Sequence, residues 1–103
     1  MGGDLFSTID PRGRTVRLTE WCYELHIVVE HPDMTDISEI ERSIRLAEYI
    51  AQDAIDLNRV VYYRTYQRTP QRWFTKVVVE QDEVVTAYRV KRLKQEEVIL
   101  WRR

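Results

Sequence analysis

Apolar residues in the first half of the chain recur at helical spacing in two stretches. In the first stretch, Trp21, Leu25 and Val28 follow one another at intervals of four and three residues, which places them on one face of a helix. Thr19 stands where an N-cap residue is expected, and Pro32 disfavours helical geometry in the residue before it. The pattern therefore predicts a first helix between residues 20 and 31.

A second and longer helix is predicted from residue 38 onward. It begins with Ser38 and Glu41, the two outer residues of an S-x-x-E capping box. Apolar residues then repeat at helical spacing, at Ile40, Ile44, Ala47, Ala51 and Ile55. We expect an amphipathic helix of about four turns or more, which ends near Asn58.

Beyond residue 58 the apolar period changes to two. β-Branched and aromatic residues are concentrated in the segments 60–67, 73–80, 84–90 and 97–101, which short polar connections separate. Strands joined by such short connections lie antiparallel to their neighbours. The pattern predicts an α+β fold with two N-terminal helices packed on a four-stranded antiparallel meander sheet. The sheet is five-stranded if the alternating segment 14–18 joins it as an edge strand.

Length and composition limit the class of protein. The 103 residues suit one domain, which we assign to residues 10–103, with residues 1–9 as a flexible N-terminal tail. No run of eighteen apolar residues is present, so we expect no membrane partner. The single cysteine, Cys22, excludes an internal disulfide and a cysteine-based zinc site, and it favours a cytoplasmic location.

Charge is distributed unevenly along the chain, although the formal net charge is only −1. Residues 20–56 carry ten acidic side chains and two arginines, whereas residues 57–103 carry eleven Lys and Arg and five Asp and Glu. Seven of the eleven aromatic residues also lie in the second range. Because that range is predicted as sheet, we expect a basic, aromatic sheet face of the kind that binds RNA. Charge alone leaves open the alternative that these are ordinary solvated faces.

Several short motifs give the chain a resemblance to a known family. They are Asp10-x-x-Gly13-Arg14-x-Val16-x-Leu18-Thr19-x-Trp21, His26-Ile27, His31-Pro32-Asp33-Met34, Val61-Tyr62-Tyr63-Arg64, Val85-Thr86-Ala87-Tyr88 and Trp101. In order and spacing they resemble the phage-associated branch of the barnase–EndoU–colicin–RelE-like nuclease superfamily, from residue 10 to residue 101.

This resemblance implies helices followed by a four-stranded antiparallel sheet. It also implies a metal-independent endoribonuclease or toxin-like domain of phage or mobile-element type, with no cofactor. In that chemistry the ribose 2′-hydroxyl attacks its own phosphate and leaves a cyclic phosphate. The implied partners are RNA and an antitoxin or immunity protein, and the implied assembly is a monomer or small homo-oligomer.

Metal-free RNA cleavage needs a base, an acid and groups that hold the phosphate. His26 and His31 are the only histidines, and we predict that they act as base and acid. Arg64 and Thr86 complete the predicted catalytic set as ligands of the phosphate oxygens. Structural roles are the alternative, with His26 as a hydrogen-bonded half-buried residue and His31 as a capping residue.

Further residues are predicted to bind the substrate. They are Arg14, Tyr63, Lys76, Tyr88 and Arg89. Of these, the Lys and Arg side chains suit phosphate, and the tyrosines suit base stacking. The slightly acidic net charge favours a specific RNA over bulk RNA. A non-catalytic RNA- or protein-binding module, or a small protein with another role, is the alternative on the same scaffold.

Overall fold

The computed structural model describes residues 3–103, which form seven strands and two short helices. The strands are β1 (Asp4–Ile9), β2 (Thr15–Thr19), β3 (Tyr49–Gln52), β4 (Arg59–Gln67), β5 (Trp73–Glu80), β6 (Glu83–Val90) and β7 (Val98–Arg102). Helix α1 begins with Glu20–Cys22, continues through a π-helical segment at Tyr23–Ile27 and ends with Val28–Glu30. Helix α2 is Ile37–Arg45.

All seven strands form one sheet in the order β1-β2-β6-β5-β4-β3-β7. Neighbouring strands are antiparallel except β2 and β6, which meet in parallel at one position, Arg17 opposite Glu83. Helix α1 lies beside the rest of this β6 edge, where the Cys22 thiol donates to the carbonyl of Val84 at 2.9 Å. The helix therefore occupies the place of a missing strand partner.

Apolar side chains pack on both faces of the sheet. On the first, which we call the helix face, a core that includes Ile27, Ile40 and Tyr62 lies between the sheet and the helices. On the second, which we call the loop face, a smaller cluster contains Tyr63 and Phe74 and is partly covered by the connection 91–97. No helix within residues 3–103 has both the length and the apolar character needed to cross a bilayer.

The predicted fold class is wrong. The structure is a mixed seven-stranded sheet with two short helices, and not two helices on a four-stranded antiparallel meander. Strands β4, β5 and β6 do pair consecutively, but β7 leaves this series and pairs with β3 at the far edge. The connection 91–97 allows this, because it crosses the loop face and buries Glu97 against Lys76 of β5.

The second helix is much shorter than predicted, because the chain enters β3 soon after Arg45. Ile50 and Ala51 are both fully buried, in the clusters on opposite faces of the sheet. A strand buried on both faces is apolar at consecutive positions, and such a run can be mistaken for part of a buried helix. Ile55, which completes the predicted helical stripe, is exposed in the β3–β4 connection.

The first helix has the predicted bounds but not the predicted face. The Thr19 hydroxyl accepts from the backbone N–H of Cys22 at 3.1 Å and so confirms the predicted N-cap. Trp21 and Leu25, however, are more than half exposed, whereas Cys22 and Ile27 are buried. The π-helical turn adds a residue per turn, and this rotates the buried face away from the spacing of an ordinary α-helix.

The predicted flexible tail is wrong for Asp4–Ile9, which is strand β1 and pairs with β2. Thr8 in this strand donates from its hydroxyl to Glu41 of α2 at 2.6 Å. Backbone hydrogen bonds to β2 and this contact hold the segment in place. Strand β1 is therefore the edge strand, and the segment 14–18, which the sequence predicts at the edge, lies one strand further into the sheet. Residues 1–2 of the predicted tail lie outside the described residues.

Candidate functional site

Three of the predicted substrate-binding residues form a row across the middle of the loop face. Tyr63 of β4 lies directly opposite Lys76 of β5, and Lys76 lies directly opposite Tyr88 of β6. Directly opposed residues in neighbouring strands have side chains on the same face. The strand register therefore brings these side chains together although they are far apart in the sequence.

This row borders a cavity of about 920 Å³ between the loop face and the connection 91–97. Arg92, Lys94 and Glu97 belong to the connection and line the cavity beside Tyr88, and Ile99 of β7 closes one side. A concave site with a few convergent polar groups is the usual form of a binding pocket. We call it the loop-face cavity.

A buried ion pair lies at the base of the loop-face cavity. The Lys76 ammonium donates to Glu97 at 2.8 Å, and the two side chains are only 6% and 1% exposed. The Tyr63 hydroxyl donates to the other oxygen of the same carboxylate. Burial raises the pKa of Tyr63 to about 12, and its bond to Glu97 acts in the same direction. Burial alone would lower the pKa of Lys76, but its interactions with Glu97, Tyr63 and Tyr88 together outweigh that effect and raise it.

One of the two predicted catalytic histidines reaches this region. His31 ends helix α1, and its ring stacks on Tyr88 with a centroid distance of 5.0 Å and an interplanar angle of 22°. The Lys76 ammonium lies 5.7 Å from the centre of the same tyrosine ring. His31, Tyr88 and Lys76 are thus neighbours on the loop face, beside the edge of β6 that α1 covers.

The other histidine lies in a different place. His26 packs edge-on against Trp21 with a centroid distance of 4.6 Å. It lines a separate cavity of about 260 Å³ together with residues that include Thr19 and Glu83. His31 is not among the residues that line this second cavity. The structure therefore does not bring the two predicted acid–base groups into one cleft.

The predicted phosphate ligands are divided between the two faces of the sheet. Arg64 and Arg89 both lie in register with Thr75, whose hydroxyl donates to Glu39 of α2, so they belong to the helix face. Lys76 is on the loop face. Arg89 donates to Glu39 at 2.7 Å and to Asp33 at 3.0 Å, which leaves its guanidinium paired with carboxylates.

The last two predicted residues are also separated from the cavity. Thr86 pairs in register with Val78 of the loop-face cluster, and its buried hydroxyl has no hydrogen-bond partner within residues 3–103. Arg14 is exposed at the opposite end of the sheet, where it lines a third cavity of about 290 Å³ with Arg12 and Tyr62. Neither residue lines the loop-face cavity.

A further set of basic side chains, none of them among the predicted site residues, lies next to this cavity. Arg68 and Arg72 belong to the β4–β5 connection, and Lys91 and Arg92 follow β6 directly. All four are exposed. Because Thr65, Phe74 and Val90 lie side by side near one end of β4, β5 and β6, these connections meet at one end of the sheet. We call these four residues the basic end.

Aromatic rings alternate with the basic side chains at this end. The Arg72 guanidinium lies 4.5 Å from the centre of the Phe74 ring, and the Lys91 ammonium lies 5.3 Å from the Trp73 ring. Tyr66 is exposed nearby, with Arg89 at 3.9 Å from its ring centre. The sequence does contain a signal for the basic end, because its four residues lie in two strand connections. Alternate connections of an antiparallel sheet lie at the same end of the sheet, so the charges of these two connections come together.

The described part of the chain contains no group of three His, Cys, Asp or Glu side chains placed to hold a metal ion. Comparison with protein-family models, with curated proteins and with solved structures found no match to this chain. The resemblance to the nuclease superfamily therefore stays a prediction from short motifs.

Proposed function

We propose that this protein is a non-catalytic RNA-binding module that takes a single-stranded segment along the basic end and into the loop-face cavity. The observation that carries the proposal is the junction of these two surfaces at Arg92, which belongs to both. A strand of RNA needs cations for its phosphates and flat side chains for its bases, and this junction offers both.

The cations of the basic end are available to an incoming phosphate. Among the ion pairs within residues 3–103, only Arg72 of these four residues has a carboxylate partner, Glu48 at 3.7 Å. The others project from strand connections into solvent. Arginine binds phosphate oxygens in bidentate fashion, and each neutralised phosphate releases counterions.

The aromatic side chains suit unpaired bases. Tyr66 is 48% exposed, and Tyr88 forms part of the cavity lining. Stacking of a base on an aromatic ring is tolerant of sequence because every base has a π-face. The cavity volume of about 920 Å³ accommodates a nucleotide.

The binding role is better supported than the endoribonuclease role. Cleavage without metal needs a general base and a general acid on opposite sides of the reacting phosphate. His26 and His31 line different parts of the molecule, and Arg64 and Arg89 lie on the face opposite Lys76. His31 remains beside Tyr88, so a cleavage assay belongs in the test.

A cytoplasmic location is part of the proposal, because the free buried thiol of Cys22 suits a reducing compartment.

The test is an anisotropy titration of a labelled single-stranded RNA at increasing salt. If all four residues of the basic end contact phosphates, the affinity falls about 50-fold between about 50 and 200 mM salt, from a slope of about 0.7 per phosphate. The single variant Arg92→Gln removes one contact, and we expect its response to fall to about 18-fold. Arg17→Gln is the matched control, since Arg17 is an exposed arginine paired with Glu83 beyond the basic end.

Two results of the binding assay would count against the proposal. A flat salt response would mean that phosphates do not bind at the basic end, and an equal loss in the Arg17 control would mean that the effect is only one of net charge. The same RNA incubated with protein in EDTA should stay intact on a denaturing gel. Fragments with cyclic-phosphate ends would instead establish the nuclease role.

A further inference from the structure

Strand β7 forms a free edge of the sheet. It stands last in the strand order and pairs on one side with β3, and no strand within residues 3–103 pairs with its other side. Its residues Val98, Ile99 and Leu100 are all exposed. An exposed apolar edge presents unpaired backbone groups and is a template for another strand.

The β3–β4 connection extends this apolar edge into a patch. Ile55 and Leu57 are 84% and 78% exposed. They lie near β7, because Gln52 pairs in register with Val98 and its side-chain amide donates to the carbonyl of Leu57 at 3.0 Å. Five exposed apolar side chains at one corner of a small sheet point to a protein contact.

The charges that flank β7 show which partner fits. Glu96 precedes the strand, and Arg103 follows it. When two copies of one strand pair antiparallel, the start of each lies beside the end of the other. Glu96 of each copy then lies opposite Arg103 of the other copy, so both ends of the interface carry an attractive pair.

The irregularity in β7 agrees with this register. Relative to β3, one residue, Leu100, is inserted between Ile99 and Trp101. An inserted residue shifts the alternation of side chains by one position. The register that pairs Glu96 with Arg103 also pairs Val98 with Trp101, and both of these belong to the helix face, as their partners Gln52 and Ile50 do. Ile99 then lies opposite Leu100 at the centre.

We propose that two copies of this chain associate through β7 into one continuous sheet, with the apolar residues of β7 and of the β3–β4 connection at the contact. The symmetry axis of such a pair is perpendicular to the sheet, so both loop faces lie on the same side. The two loop-face cavities, each bordered by Ile99, flank the axis. The association does not depend on RNA.

Light scattering of the size-separated protein tests the proposal over a wide range of concentration. We expect the wild-type chain to approach the mass of two chains as concentration rises, and the variant Leu100→Lys to keep the mass of one chain. Glu24→Arg changes an exposed carboxylate on α1, far from this edge in the sheet order, and should leave the dimer unchanged.

A charge exchange tests the register itself. The single variants Glu96→Arg and Arg103→Glu each place like charges at both ends of the interface and should be monomeric. Mixed together, they restore two attractive pairs and should form a heterodimer. Arg103 also donates to the carbonyl of Ala47 at 3.2 Å, so circular dichroism must show that each variant is folded.

The possible results test the association and its register separately. A wild-type chain that stays monomeric at every concentration overturns the proposal, and so does a wild-type dimer that Leu100→Lys leaves intact. A dimer that Leu100→Lys abolishes, but that the mixed variants do not restore, overturns the stated register. None of these results bears on RNA affinity, which is measured separately.

Discussion

Lys76 and Glu97 lie at the base of the loop-face cavity, where both side chains are almost fully buried. Withdrawing both charges from water costs free energy, which their mutual attraction and the bond from Tyr63 must offset. A buried ion pair is therefore weak evidence of a gain in stability. It does fix the position of the connection 91–97, because Glu97 belongs to that connection and Lys76 to the centre of the sheet.

Removing one member of the pair should be costly. Glu97→Gln leaves the Lys76 ammonium buried without a counterion, and we expect the free energy of unfolding to fall by about 3–5 kcal/mol. The double variant K76M/E97Q removes the stranded charge and should recover part of that loss. Urea unfolding measures both.

The neighbouring carboxylate supplies the control for this experiment. Glu96 is exposed in the single chain, so at a concentration where the protein is monomeric Glu96→Gln should change the free energy of unfolding by no more than about 0.5 kcal/mol. If Glu97→Gln were as mild as Glu96→Gln, the ion pair would contribute little, and the connection would be held by its apolar contacts alone.

At the scale of the element, helix α2 is capped two residues earlier than the sequence predicts. The sequence offers Ser38 as the N-cap, but the carboxylate of Asp36 accepts from the backbone N–H of Ser38 at 3.0 Å and of Glu39 at 3.3 Å. Asp36-x-x-Glu39 has the same capping spacing as Ser38-x-x-Glu41. The Glu39 side chain, however, turns to Thr75 and Arg89 on the sheet.

We predict that Asp36→Ala lowers the free energy of unfolding by about 1 kcal/mol, because the backbone N–H groups of Ser38 and Glu39 lose their side-chain acceptor. Asp36→Asn keeps an acceptor and should retain most of the stability. Ser38→Ala should have almost no effect, since Ser38 is exposed within the helix. Thermal or urea unfolding of the three variants decides between the two caps, and a larger loss for Ser38→Ala would contradict this assignment.

The predictable elements are those determined by local sequence. Strands β4, β5 and β6 follow from alternating apolar residues and short connections, and the start of α1 follows from Thr19. The short strand β3 depends on partners distant in the sequence, since Tyr49–Gln52 pairs with both β4 and β7. A short segment of the sequence does not show which distant strands it pairs with. The helical spacing of Ala47 and Ala51 therefore predicted a helix where the structure has a strand.

The site was predictable to a similar extent. Alternation along β5 already places Thr75 and Lys76 on opposite faces, so Lys76 could have been separated from Arg64 and Arg89 once the register was known. The contact between His31 and Tyr88 could not have been predicted, because it depends on α1 lying along the β6 edge. Glu97 was missed because a carboxylate in a charged connection gives no sign of burial.

At the scale of the whole molecule, charge is separated by ends and not by faces. The sequence predicts a basic sheet face, yet Lys76, Arg64 and Arg89 are spread over both faces, and Lys76 and Arg89 are paired with carboxylates. Three cations of the basic end, Arg68, Lys91 and Arg92, have no carboxylate partner among the described ion pairs. Net charge alone therefore does not describe how RNA would approach the molecule.

Alkaline pH should unfold this molecule more readily than its composition suggests. Burial raises the pKa of the Cys22 thiol from 9.0 to about 11, and the charge of Glu83 adds to the effect. Burial likewise raises the pKa of Tyr63 from 10.0 to about 12. Each group keeps its proton in the folded chain at a pH where the unfolded chain has lost it. The resulting stability is complete below pH 9 and is lost as the pH rises.

For Cys22 alone, we expect the free energy of unfolding at about pH 10 to be about 1 kcal/mol lower than at pH 8. Cys22→Ala removes this titration, although it lowers stability at every pH because the thiol packs in the core and donates to Val84. The informative quantity is thus the slope of unfolding free energy against pH, which urea titrations at several pH values provide. The slope between pH 8 and 10 should be shallower in Cys22→Ala, while the decline due to Tyr63 persists toward pH 12 in both proteins. Parallel curves for the two proteins would show that the thiol titrates alike in the folded and unfolded chains, and hence that α1 does not shield it along the β6 edge.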